Sequence, residues 1–97
     1  MATRYQVSAV NTENTLVLPA QADKIQWIHF SYSDDPTGGK LTVLSGATQI
    51  YEVDITTGGP GPLNFEPMLE ARDGATLTIV MAAGGTGIVS KINVRYV

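Results

Sequence analysis

Short runs of β-branched and aromatic residues recur along this chain at roughly ten-residue spacing, broken by clusters of Gly, Pro, Asn and Asp. That rhythm leaves little room for helices and points to an all-β sandwich or barrel. We read eight strands, over residues 4–10, 15–19, 24–33, 40–46, 49–56, 63–66, 75–82 and 87–96. In several of them apolar and polar residues alternate cleanly. Tyr51, Val53 and Ile55 oppose Glu52, Asp54 and Thr56, and Leu77, Ile79 and Met81 oppose Thr76 and Thr78. Successive side chains of a strand point to opposite faces, so each pattern marks one buried and one wetter face. In the first run Tyr5, Val7 and Ala9 share a face. A single helical turn is expected over residues 66–72.

The turns sort the strands. Ser45-Gly46-Ala47-Thr48 is short enough to close a hairpin, and residues 84–87 read as a second one. Residues 34–39 form a longer surface loop. Residues 58–62, with two prolines among glycines, read as a wide connection between sheets. Eight antiparallel strands in this size fit a jelly roll, an immunoglobulin-like sandwich or a small barrel. We favour an eight-stranded antiparallel jelly-roll sandwich. It forms one domain over residues 1–97, with residues 1–13 as an extended N-terminal arm.

Composition excludes several functions. Cysteine is absent and His29 is the single histidine, so thiolate and multi-histidine metal sites are not expected. The net charge of −3 and pI near 4.8 argue against nucleic acid as a partner. No apolar run approaches the ~20 residues of a membrane span, and no signal peptide is visible at the N-terminus. Charged residues make up 15% of the chain, against about 25% in an average domain. Threonine, serine, asparagine and glycine take their place.

Three constellations could carry chemistry, and each has a plainer explanation that we favour. His29 and Ser31 share a strand face, but no nucleophile elbow accompanies them. Glu52 and Asp54, two residues apart on one face, have a glycosidase-like spacing without an aromatic cleft. Asp34 and Asp35 with Thr37 offer too few oxygens for calcium. We therefore expect no enzyme, no cofactor and no metal.

The third strand is unusual. Ile25, Trp27, His29 and Ser31 fall on one face and Ile28, Phe30 and Tyr32 on the other, so both faces are apolar. A two-layer sandwich buries one face of each sheet. The second face calls for a cover, such as a subunit, a larger assembly or a sugar stacked on Trp27, unless a β-bulge redirects a residue. The candidate contact residues are Trp27, His29, Phe30, Tyr32, Asp34, Asp35 and Tyr5.

The run EPMLEARDGATLTIVM over 66–81, the turn AAGGTG over 82–87 and the closing strand to Val97 resemble the end of many small tailed-phage virion proteins. The segments IHFSY at 28–32, GKLTV at 39–43 and DIT at 54–56 resemble them too. The likeness covers residues 24–97; head decoration (cement) proteins are the first type it resembles, and small fibre or tail-associated domains the next. It implies a jelly roll on a phage particle, commonly a trimer bound to the major capsid protein, made in the host cytoplasm and carried on the virion surface. It assigns no functional residue. Docking is then expected through loops 34–39, 58–62 and 84–87. The other reading is a carbohydrate-binding or adhesin module with Trp27, Tyr32 or Tyr51 as its platform.

Overall fold

The computed structural model describes residues 1–97. It contains eight strands: β1 (Ala2–Val7), β2 (Asn14–Val17), β3 (Lys24–Tyr32), β4 (Gly39–Ser45), β5 (Thr48–Ile55), β6 (Gly61–Glu70), β7 (Leu77–Met81) and β8 (Ser90–Tyr96). They form two antiparallel four-stranded sheets, β1-β8-β3-β6 and β2-β7-β4-β5. The pairing is nested. First pairs with last, second with seventh, third with sixth and fourth with fifth. The chain is thus one long hairpin wrapped over itself, which is the jelly-roll topology expected from the strand pattern.

The core lies between the sheets. Ile25, Ile28, Ile92 and Val94 of the first sheet meet Leu41, Val43, Leu77, Ile79 and Met81 of the second, all with no exposed surface. These are the β-branched and aliphatic positions of the alternating runs, and their burial is the main force closing the sandwich.

Four expectations are corrected. The segment 1–13 is not a free arm: β1 pairs with β8 from Ala2↔Tyr96 to Val7↔Lys91. Its inward residue is Gln6, whose side chain donates to Asn14 Oδ1 and to the Thr15 carbonyl, both at 2.8 Å. Tyr5 and Val7 therefore point outward, the reverse of what hydrophobicity suggests. No helical turn forms near residue 66; β6 runs on to Glu70, and Leu69 pairs with Ile25. Pro62 and Pro67 are tolerated because β6 is an edge strand. Residues 84–87 are not a hairpin, since β7 and β8 lie in different sheets. The hairpin at Gly46 and Ala47 does form, with Ser45 opposite Thr48.

The fourth correction concerns β3. Its register shifts between Ile25 and Trp27 against both neighbours. This bulge at Gln26 turns Ile25 inward alongside Ile28 and Tyr32. Trp27, His29 and Ser31 are left on the outside. The doubly apolar strand thus resolves into one inner and one outer row.

Candidate interaction surfaces

Two surfaces collect the residues singled out by the sequence. The first is the outer face of the β1-β8-β3-β6 sheet. Cross-strand register sets its side chains in transverse rows. Thr3, Arg95, Trp27 and Asn64 form one row; Tyr5, Asn93, His29 and Pro62 form the next; Val7, Lys91 and Ser31 form a third. Trp27 is half-buried and stacks on the exposed ring of His29, with centroids 4.1 Å apart and planes 17° apart. Tyr5 is 57% exposed and Val7 45%. Trp27 is therefore a surface aromatic and not a core residue.

The second surface is one end of the sandwich. In nested pairing every connection from an odd to an even strand falls at the same end. The segments 8–13, 33–38, 56–60 and 82–89 all meet there. Hydrogen bonds tie them into a rim. Thr37 N donates to Gly84 O at 2.9 Å, Gly85 N to Asn11 Oδ1 at 3.2 Å, and Gly58 N to Asp35 Oδ1 at 2.8 Å. Ser33 N donates to Val89 O at 2.9 Å. Gly84 permits close packing in the rim, because a Cβ there would lie 2.5 Å from Ile88 Cγ2 and 2.7 Å from Tyr32 Cδ1. The three loops expected to share a docking surface are therefore neighbours.

The candidate contact residues divide accordingly. Trp27, His29 and Tyr5 lie on the sheet face, and Asp34 and Asp35 lie exposed on the rim. Asp34 Oδ1 accepts from Asp35 N at 2.8 Å, so both aspartates shape their own loop. Tyr32 is an interior residue, and Phe30 is half-buried and packs against the core. The Phe30 ring lies against Gly61 of the paired strand. Tyr32 is 4% exposed and its hydroxyl donates to Ala82 O at 2.7 Å. Burial raises the Tyr32 phenol, with a partial offset from the backbone of Lys40. Tyr51 is half-buried, edge-on to Phe65 at 5.0 Å. Neither tyrosine offers a flat, open ring to a sugar.

Glu52 on β5 is held in its ionised form. Glu52 pairs with Lys40 at 3.2 Å and accepts from Gln49 Nε2 at 2.7 Å. Its carboxyl is lowered, first by the Lys40 hydrogen bond and then by Gln49. A glycosidase acid needs the opposite shift.

Sequence reading missed Asn14. It is 1% exposed, and its Nδ2 donates to Gln6 O at 3.2 Å and to Ser90 O at 3.3 Å. It fastens β2 of one sheet to β1 and β8 of the other. An asparagine at a strand start reads as a turn residue, so no sequence signal marked it.

No family model matches the chain, and no curated protein sequence matches it. Among solved structures it is similar to the insecticidal delta-endotoxin Cry8Ea1 from Bacillus thuringiensis, with a TM-score of 0.53 and 17% identity. The match covers 90% of this chain and 19% of the toxin chain. The likeness is one of fold.

Proposed function

We propose that this chain is a structural virion protein, a capsid decoration protein that docks on an assembled phage head as a homotrimer. The observation that carries the reading is the rim, where four crossover segments meet at one end and are hydrogen-bonded to each other before any partner arrives. A pre-ordered rim gives up little conformational freedom on docking, so modest contacts yield net affinity. A particle repeats the contact many times, and three linked rims would raise the effective concentration further. The resemblance of residues 24–97 to tailed-phage virion proteins supports the same reading.

A second reading, a carbohydrate-binding module, is favoured by one observation. The Trp27–His29 stack lies on an open face beside Asn64, Asn93 and Arg95, a mix of aromatic and polar groups that suits a sugar. One experiment separates the two. Co-sedimentation with assembled heads of the source phage should retain the wild-type protein, and Asp34→Ala with Asp35→Ala should reduce retention while leaving the fold intact. Oligosaccharides should leave Trp27 fluorescence unchanged. Retention unaltered by the rim substitutions would move docking elsewhere. Saturable quenching by a sugar, with no retention on heads, would replace the first reading by the second.

A further inference from the structure

Along the centre of the first sheet's outer face, β8 projects Lys91, Asn93 and Arg95. The rows beside it are Thr3, Tyr5 and Val7 on β1 and Trp27, His29 and Ser31 on β3, with no carboxylate among them. Lys91 and Arg95 make no ion pair; the two ion pairs of the chain are Lys24–Glu70 and Lys40–Glu52. The carboxylates on this sheet, Glu66 and Glu70, belong to β6 at its far edge.

The opposite charge collects on β5, the edge strand of the second sheet. Glu52 and Asp54 are exposed on one face of it. Asp54 lines a shallow pocket of about 300 Å³ with Pro36, Gly38 and Gly39. Lys40 is the one cation paired into this group. The chain thus keeps two unpaired cations on a half-apolar face and presents two exposed carboxylates on a separate edge strand.

We propose that the outer face of the β1-β8-β3-β6 sheet receives the β5 edge of a second copy of this chain. Asp54 and Glu52 would face Arg95 and Lys91, while Tyr5, Val7 and the Trp27–His29 stack supply the apolar contact. The inference rests on reading the chain as an oligomeric building block and adds the surfaces it uses. The two surfaces differ, so the contact is head-to-tail, and a small number of copies closes it into a ring. Opposite charges set the register and exclude face-to-face pairing, since cations would then meet cations.

The test is charge reversal read by native mass spectrometry and light scattering. Wild-type protein is expected to be a trimer that weakens with added salt. The pair K91E/R95E and the pair E52K/D54K should each weaken assembly at least ~100-fold, and the four substitutions together should restore it. Circular dichroism melts confirm that each variant folds. As a check independent of variants, carbodiimide on the wild-type oligomer should join Lys91 of one copy to Glu52 or Asp54 of another. An oligomer indifferent to either pair of reversals, or lacking that cross-link, overturns the proposal. A monomer at all concentrations also overturns it, and head binding by that monomer would leave the decoration reading standing. An oligomer with the cross-link that ignores phage heads would do the reverse.

Discussion

Replacing Asn14 with alanine removes three hydrogen bonds at one stroke: Nδ2 to Gln6 O, Nδ2 to Ser90 O, and Gln6 Nε2 to Asn14 Oδ1. A net hydrogen bond contributes about 1 kcal/mol, and an orphaned buried partner adds to the loss. Here two partners keep a second bond. Gln6 Nε2 still donates to Thr15 O at 2.8 Å, and Ser90 O still accepts from Ser8 N at 2.9 Å. Two of the lost bonds are also long, at 3.2 and 3.3 Å. The expected cost of Asn14→Ala is therefore about 2 kcal/mol. Urea denaturation measures it. With a slope of roughly 1–1.5 kcal/mol/M for a domain of this size, the midpoint should fall by about 1.5 M. Gln6→Ala should cost about 1 kcal/mol, and the double variant should show a coupling near 1 kcal/mol because the two residues share a bond. The damage should also be local. β1 has β8 as its one strand neighbour, so β1 amides should exchange faster in Asn14→Ala than those of β4 and β7. A midpoint shift worth less than ~0.5 kcal/mol, or strictly additive single effects, would refute the claim that Asn14 staples the sheets.

Two further outcomes follow from the interior. Burial raises the Tyr32 phenol above its usual value near 10, so above that pH the unfolded chain releases its proton before the folded one does. Stability from neutral Tyr32 is complete below pH ~10 and is lost as pH climbs toward the folded value; urea midpoints between pH 9 and 11 should fall more steeply for wild type than for Tyr32→Phe, and parallel curves would contradict this. Gly84→Ala should cost about 1–3 kcal/mol, because the new methyl overlaps Ile88 and Tyr32. Thermal melts should show a drop of at least ~4 °C, and an unchanged melting temperature would mean that the rim does not pack at Gly84 as described.

The number of strands and the wrapping of the fold were legible because the alternating runs are also the core runs. Leu77, Ile79 and Met81, or Ile92 and Val94, are apolar at every second position and are buried as such. Legibility ended where a polar group is satisfied from outside its own segment. Gln6 faces inward because Asn14 and Thr15 wait across the sandwich, and a hydrophobicity pattern cannot register a partner eight residues away. The bulge at Gln26 breaks the period of two, so Ile25 and Trp27, alike by spacing, part company. Residues 66–72 were read as a helical turn, yet β6 runs through Pro67 because an edge strand needs no ladder donor on its free side. Glycines at 84–87 announced a turn but not which sheet follows it. Of the candidate contacts, Asp34 and Asp35 were readable as surface residues from their loop, whereas the aromatics were not: Trp27 and Tyr5 look like core residues and turn outward, and Tyr32 turns inward, once the bulge and the polar partners are known.

Nested pairing also explains how one small domain can offer two separate surfaces. Connections 8–13, 33–38, 56–60 and 82–89 occupy one end; connections 18–23, 46–47 and 71–76, with both chain termini, occupy the other. The second end is fastened as well, by Asp23 N to Val97 O at 2.8 Å and Arg72 N to Ser45 Oγ at 2.8 Å. Neither end constrains the outward side chains in the middle of a sheet. The row of Arg95 and Trp27 lies along the strands away from the rim, while Asp34 and Asp35 lie on the rim itself. If both proposals hold, substitutions on the face act on contacts between copies and substitutions in the loops on contacts with a particle, because distant sites without shared partners act independently. The low surface charge fits the same division. With 15% charged residues, two free cations on one face and the carboxylates of one edge strand would set the register of the proposed self-contact, and the loop rim would be left for the proposed particle.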